Sequence, residues 1–492
     1  MTLGTILAMV AIAAIIFTVI TWLVFKQQKS LIMSYVQNFC GAFFIFSGMV
    51  KAVDPLGLAY KMEQYFEQFE FVFDGTLFSF LSSVFPVLTD YASGLAVFII
   101  TFEIVLGIML LLGHKPKFTA WSFLALVVFF TILTGFTYLT GYVPSDGSFF
   151  SFGTWGDYDE ANMKVTDCGC FGDFLKLEPK VSFLKDVFLL FPAFFFLFRS
   201  KTMHVIGSDV LRNGITAIAT IGLVYFCLSN YVWDIPDNDF RPFKKGVNIA
   251  EQKKLEEDAA ANVQILGVNL TNLTTNELVE IDYNTYLATF KNYPKEEWSV
   301  DYVQSEPEIA HSKISEFDIV GTDGNNLTSD ILESEGPLVL IIAHAIYGDA
   351  SASTRIVKDT IFTLDTIVQK TGEITVSRTI KNVEESTEEY LDYLWKDYYM
   401  ERYNEVVTPF VKAAQADGLP TYLAVGADAT QIADFLTDSD LGSTGGESDD
   451  ILLKTIVRSN PGIVLMDKGV LVDKWHYKQL PEYTVVKSLY LD

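Results

Sequence analysis

The stretch Val181-Ser182-Phe183-Leu184-Lys185-Asp186-Val187-Phe188-Leu189-Leu190-Phe191-Pro192-Ala193-Phe194-Phe195-Phe196-Leu197-Phe198 decides how this chain is built. Its uncharged part, 187–198, covers 12 residues, whereas a helix needs about 20 mostly apolar residues to cross the hydrocarbon of a bilayer. It reaches spanning length only by taking in 181–186, with Lys185 and Asp186 near an interface, where an ion pair or snorkelling lowers their cost. If it crosses, the chain has six spans and its second half shares a side with the N-terminus. If it does not, there are five spans and the second half lies on the opposite side.

The flanking runs resolve the choice. Residues 2–25, 30–50, 118–142 and 213–233 are free of Asp, Glu, Lys and Arg apart from lysines at their edges, and 91–113 is interrupted only by Glu103. The first run is long and lacks a basic leading region, so it reads as a span rather than a signal peptide. Short cytoplasmic loops are enriched in Lys and Arg. With six spans, Lys26 and Lys29, then Lys115 and Lys117, then Arg199, Lys201 and Arg212 all fall on one side. The opposite connections, 51–90 and 143–180, are net acidic. The expectation is therefore six spans with both termini outside. Within 51–90, Leu58, Met62, Tyr65, Phe66 and Phe69 recur at helical spacing among charged residues, which predicts an amphipathic helix lying on the membrane. Residues 77–88 are apolar but too short to cross, and read as an interfacial or re-entrant piece.

The whole chain has 492 residues, is 50% hydrophobic and carries a net charge of −26. That balance argues against an extended nucleic-acid surface, and four cysteines are too few for a disulfide-dense scaffold. Residues 1–232 contain 13 Lys/Arg against 16 Asp/Glu, and 233–492 contain 22 against 45. The molecule thus reads as a nearly neutral membrane part (1–233), a linker with a small strand-rich segment (234–310) and an acidic soluble part (311–492).

The outer connection before the fifth span holds Asp167-Cys168-Gly169-Cys170-Phe171-Gly172-Asp173. Two thiols separated by one glycine can close a small strained ring, and strained disulfides are the more oxidising ones. Spacing alone leaves three readings open: a redox pair, a structural disulfide, or free or metal-linked thiols. No histidine lies nearby and the five histidines form no ligand-spaced pair, so no metal site is expected. Cys40 and Cys227 fall inside spans, where a lone cysteine is usually a small buried hydrophobe; they form a second pair only if their helices touch. Glu103 is the only ionisable group within its run. It reads either as a proton relay or as a structural hydrogen-bonding group, with Ser47 or Gln37 as a partner.

The layout, with Phe43-Phe44-Ile45-Phe46-Ser47-Gly48-Met49-Val50-Lys51-Ala52-Val53-Asp54-Pro55-Leu56-Gly57 and the Cys168-Gly169-Cys170-Phe171-Gly172 string, resembles the DoxX/MauE-like membrane proteins over residues 30–230. The resemblance implies an envelope redox role: disulfide formation during maturation of a periplasmic dehydrogenase for the MauE type, and quinone-linked or oxidative-stress functions for the DoxX type. It marks Cys168 and Cys170 as redox residues and a membrane quinone as an electron acceptor.

After Trp233 the chain becomes polar. A charged helix is expected at 250–262 and short strands at 263–268 and 278–281. The run Leu338-Val339-Leu340-Ile341-Ile342-Ala343 predicts a buried central strand. Helices are expected at 353–369, 384–415 and 431–436, a strand at 421–425, and a hairpin joining 463–466 to 470–475 through Asp467-Lys468-Gly469. Over 311–490 this half resembles a thioredoxin-like domain, with Ser459-Asn460-Pro461 at the family's cis-proline position. Where an active member carries Cys-x-x-Cys, this chain has His344-Ala345-Ile346-Tyr347-Gly348-Asp349-Ala350-Ser351, and no cysteine follows Cys227. Thiol exchange by this half is excluded, since the thiolate is the nucleophile. A peptide cleft between His344, Tyr347 and Pro461 remains.

The expected fold class is an all-α transmembrane bundle plus an α/β thioredoxin-like domain. Two functions follow: an inner-membrane thiol–disulfide oxidoreductase acting on an envelope client, or a non-catalytic anchor or scaffold with a protein-binding module. Both imply a lipid bilayer, an envelope protein partner, no nucleic acid, and a C-terminal domain on the periplasmic side.

Overall fold

The computed structural model describes residues 2–492 except 77–78, 146, 166–168, 237, 276 and 369–373. The chain divides into two compact units, Met1–Lys244 and Lys245–Asp492.

The first unit is helical. Its helices are α1 (Leu3–Ile20, extended by a π-helical turn to Phe25), α2 (Leu31–Val53), α3 (Pro55–Phe73), α4 (Phe85–Asp90), α5 (Ala92–Leu112), α6 (Pro116–Thr140), α7 (Pro179–Arg199) and α8 (Asp209–Leu228). Six of them, all but α3 and α4, are long and apolar enough to cross a membrane. Ser30 and Ser208 cap the starts of α2 and α8 with their hydroxyls, and Asp54 caps α3 ahead of Pro55. Outward-facing Ile12, Phe98, Trp121, Phe188, Phe191 and Ile218 are exposed, as expected of surfaces turned to lipid.

α2 and α5 approach through glycine. A Cβ built on Gly41 would lie 2.9 Å from the Gly107 carbonyl oxygen, and one on Gly107 would lie 2.7 Å from that of Gly41. Small residues at such crossings let helix backbones meet where water supplies no drive for association. Gln37 reinforces the contact by donating to the Leu110 carbonyl at 2.7 Å. Asn38 donates to the Thr18 hydroxyl at 3.0 Å and ties α1 to α2.

α3 forms at the expected helical spacing, and its apolar side packs into the unit. Leu58, Met62, Tyr65 and Phe66 are buried within the unit, and the Tyr65 hydroxyl meets that of Thr137 on α6 at 2.6 Å. Its apolar side has a helix bundle to cover, which shields it better than an interface. Residues 79–90 form a 3₁₀ turn and α4, neither long enough to cross.

The second unit is α/β. It contains α9 (Ile249–Ala261), β1 (Ile265–Asn272), β2 (Leu278–Asp282), α10 (Tyr283–Thr289), β3 (Trp298–Gln304), β4 (Val320–Gly321), α11 (Leu327–Leu332), β5 (Pro337–Ala343), β6 (Gly348–Val368), β7 (Ile374–Trp395), α12 (Asp397–Arg402), α13 (Thr408–Ala416), β8 (Thr421–Val425), α14 (Ala429–Asp438), β9 (Thr444–Glu447), α15 (Asp450–Ile456), β10 (Gly462–Asp467), β11 (Val470–His476) and α16 (Tyr483–Tyr490). β1, β2 and β3 make a small antiparallel sheet in the order β2-β1-β3. The main sheet runs β11-β10-β5-β8-β9-β4, with β5, β8 and β9 parallel and the other pairings antiparallel. Leu338–Ala343 are buried, as a central strand requires. The β10–β11 turn places Lys468 and Gly469 at φ of 50° and 76°, the two positive values of a tight two-residue hairpin.

Of the helices expected at 353–369 and 384–415, residues 353–368 and 384–395 are strand instead, and 369 lies outside the described residues. β6 and β7 pair as one long hairpin, and helix begins only at Asp397. The physical reason is composition: Thr, Val and Ile dominate 354–368, and their branching at Cβ favours the pleated strand over the helix.

Gly107→Val places two methyl groups where the Gly41 carbonyl now sits. Overpacking of this kind costs about 1–3 kcal/mol; the expected outcome is a lower melting temperature of the purified protein, with Gly94→Ala, which meets nothing within 4 Å, as the control.

Candidate active site

The α2–α5 crossing brings two charges together inside the membrane unit. Lys51 Nζ lies 2.6 Å from Glu103 Oε2, and the two side chains are 4% and 3% exposed. The same ammonium donates to Ser47 Oγ at 3.1 Å and sits 4.9 Å from the centre of the Phe130 ring. A lone charge at such depth is costly, and a matched, hydrogen-bonded pair is the form in which it is tolerated. A second pair lies on α7, where Lys185 and Asp186 are joined and Asp186 Oδ2 accepts from Thr134 Oγ1 of α6 at 3.0 Å. Asp186 is 1% exposed, and of the two ways the sequence offered to lower the cost of these charges the structure has the ion pair.

The CGCFG loop closes over these groups. Cys168 lies outside the described residues. Gly169 has φ of +60° and its Cβ would meet Lys61 Cγ at 3.2 Å, so the turn and the close approach to α3 both call for glycine. Phe171 anchors the loop: it is buried, with its ring 5.9 Å from Phe43 and 6.3 Å from Phe46. Ser47 Oγ donates to the Cys170 carbonyl at 3.3 Å. A polar chain therefore runs from Glu103 through Lys51 and Ser47 to the backbone of Cys170.

Cys170, Lys51, Glu103, Lys185 and Asp186 line one cavity, with Phe43, Phe44 and Phe130 among its apolar walls. About 30 Å³ is open to the centre of a water molecule, room for about two waters. Cys170 is a free thiol, and burial pushes its pKa up, countered in part by Lys185 and Lys51. Cys40 and Cys227 are free and buried in helices α2 and α8.

Sequence reasoning singled out Cys170 and Glu103 and missed what joins them. Glu103 pairs with Lys51, not with Ser47 or Gln37; Ser47 accepts from the same lysine, and Gln37 bonds Leu110 and His204 instead. The available signal was Lys51 at the end of an otherwise uncharged run, a cation in the same apolar setting as the lone carboxylate.

In the second unit, His344 follows β5 and is buried, whereas Tyr347 is 38% exposed with its ring edge-on to Tyr399 at 5.1 Å. Pro461 is buried just before β10, and the Asn460–Pro461 peptide is cis. Asn460 Nδ2 donates to the Ala345 carbonyl at 2.7 Å, and the Tyr399 hydroxyl sits between that carbonyl, at 2.9 Å, and Asn460 Oδ1, at 3.1 Å. Arg402 donates to the Asn460 carbonyl and lies 5.0 Å from the Tyr477 ring. The turn bearing Tyr347 and the segment bearing Pro461 are thus brought together, with His344 behind them as a core residue. No sequence motif sets apart Tyr399 and Arg402, which join them.

These features define a multi-pass membrane protein with a charged, thiol-bearing cavity and an α/β second unit. Residues 29–150 match the family model of the methylamine utilisation protein MauE, so the membrane unit is MauE-like over α2 to α6. The match includes Lys51 and Glu103 and stops short of Cys170, Lys185 and Asp186. No curated protein and no solved structure matches the chain.

Removing one partner of the Lys51–Glu103 pair strands a buried charge, at a cost of about 3–5 kcal/mol. Lys51→Met is expected to lower the yield and thermal stability of the purified protein sharply, and Lys51→Met/Glu103→Leu to recover most of the loss. A different response is expected in the second unit. Burial, with Lys454 and Arg458 nearby, holds His344 down to about 3 from its ordinary 6.5. The folded imidazole stays neutral while the unfolded one takes up a proton, so its stabilising contribution is full above pH 6.5 and shrinks by about 1.4 kcal/mol per unit as pH falls towards 3. Hydrogen exchange of β5 in the full chain should accelerate less steeply below pH 6 in His344→Gln than in the wild type.

Proposed function

We propose that this protein is an inner-membrane thiol–disulfide oxidoreductase that uses Cys168 and Cys170 to oxidise an envelope client. The observation that carries the reading is the placement of Cys170 on a buried cavity holding two ion pairs. Buried charge at such expense, beside a thiol, is the pattern of a site that handles protons and thiolates. The MauE match supports a membrane-associated role in redox or maturation chemistry.

In the proposed reaction a client thiolate attacks the Cys168–Cys170 disulfide. One S–S bond breaks, a mixed disulfide forms, and one cysteine of the pair leaves as a thiolate. The second client thiolate then attacks the mixed disulfide, so the client departs oxidised by two electrons and the pair remains as a dithiol. A disulfide of a second envelope protein reverses these steps and restores the pair. Glu103, on the cavity wall it shares with Cys170, serves as the proton relay.

The second unit is read as a thioredoxin-like domain without thiols. The order β11-β10-β5-β8, with β5 and β8 parallel and the other two antiparallel, supports that reading. Its role is to hold a client or partner at the surface around Tyr347, beside the His344 and Pro461 segments, on the periplasmic side. The absence of cysteine after Cys227 favours a second reading for this unit alone, that of a binding module in a larger envelope complex.

Acid quenching and thiol alkylation of intact cells should find the 168/170 pair in both oxidised and reduced forms, and Cys170→Ser should accumulate a mixed disulfide with another protein. A pair fixed in one state, together with a Cys168→Ser/Cys170→Ser variant that behaves as wild type, would sink the enzymatic reading.

A further inference from the structure

We infer that Lys51, Glu103, Lys185 and Asp186 form a charge-balanced set that lets Cys170 ionise by handing its proton to a neighbouring carboxylate within the cavity. The inference rests on the redox reading above and assigns Lys51, Lys185 and Asp186 as positioning residues for it.

The argument is one of conserved charge. The cavity holds two ammoniums and two carboxylates, each ammonium matched to one carboxylate. With Cys170 neutral the set sums to zero. Expelling the thiol proton to bulk water would leave a net negative charge in a low-dielectric enclosure, which is what burial penalises. Moving the same proton to Asp186 or Glu103 changes nothing in the sum: the S–H bond breaks, an O–H bond forms on the carboxyl, and the ammonium that loses its carboxylate partner gains a thiolate. Room for about two waters allows the proton to cross without side-chain movement. Among the described residues, the other groups that line this cavity are uncharged. α3 contributes the neutral Tyr65 and α6 only the Thr134 hydroxyl. Lys61 of α3 passes over Gly169 with its Nζ bonded to Gln64, and Lys176 lines a separate small cavity on the other side of Cys170.

The test follows the reactivity of Cys170 in the full-length protein in lipid nanodiscs, with Cys40→Ala, Cys227→Ala and Cys168→Ser leaving it as the sole thiol. The probe is methyl methanethiosulfonate, small and uncharged, with modification followed by mass spectrometry from pH 5 to 9. Asp186→Asn removes one acceptor but leaves a net positive charge that Cys170 cancels by losing its proton to bulk water, so the rate at pH 6 should rise at least tenfold and become pH-dependent, where the parent's, set by a transfer inside the cavity, is flat; Glu103→Gln should act in the same direction. Lys185→Met should lower the rate at least tenfold, Lys185→Arg should preserve it, and Lys185→Met/Asp186→Asn should return it to near the parent. Opposite signs for the lysine and aspartate variants, cancelling in the double, separate charge control from altered access or misfolding. Rates that move together, or do not move, overturn the inference. If the rates obey this order but the 168/170 pair is inert in cells, the oxidoreductase reading fails and the charge-control inference stands.

Discussion

The close approach of α2 and α5 is the constraint on which the membrane unit turns. Gly41 and Gly107 let two backbones meet so closely that any side chain there would displace them. That approach places Lys51, about three turns from Gly41 on α2, against Glu103, about one turn from Gly107 on α5, at 2.6 Å. Were the helices a methyl group further apart, a buried lysine and a buried glutamate would each face an apolar wall. The pair therefore makes the crossing specific as well as close: sliding either helix along the other would separate the charges. Buried polar groups are least tolerant of such slippage, because an unmatched one forfeits its full desolvation cost.

The CGCFG loop inherits its position from this contact. Ser47, one turn before Lys51, accepts from the ammonium and donates to the Cys170 carbonyl. Phe171 supplies the driving force by entering the aromatic cluster of Phe43 and Phe46, and Gly169 supplies the left-handed turn that lets a buried phenylalanine follow so closely on the cysteines. The cysteine is held by backbone and by its neighbour's side chain, which leaves its own sulfur facing the charges. That is a demanding arrangement for a mere packing cysteine, and it underlies the proposed redox role.

Much of this was legible in the sequence because it rests on local pattern. Six apolar runs predicted the six spanning helices, and the 338–343 run predicted the central strand of the second unit. The α3 helix was legible from its spacing, but not its burial, since period alone does not say whether an apolar face meets lipid or protein. The 353–369 stretch was misread as helix because its apolar residues also fit a helical period; β-branching was the better signal. Lys51 with Glu103, and Tyr399 with Asn460, are pairings across long separations in the chain. They depend on which helices and turns touch, and no local pattern encodes that.

The span with the shortest uncharged run, 187–198, is also the one that follows Cys170 most closely in the chain. α7 reaches membrane-spanning length only by including Lys185 and Asp186, and both lie on the cavity wall. A helix selected only to cross a bilayer has no reason to carry an ion pair inward, where Leu would serve better. Departures from the locally favoured residue are expected where chemistry competes with stability. The same holds for Lys51 on α2 and Glu103 on α5, each a single charge in an otherwise apolar run. Three helices each break their hydrophobic pattern, and all three breaks converge on one enclosed space beside Cys170. Independent packing accidents would scatter such charges over the bundle; their convergence, with equal numbers of each sign, is what a site built to move a proton without changing its net charge requires.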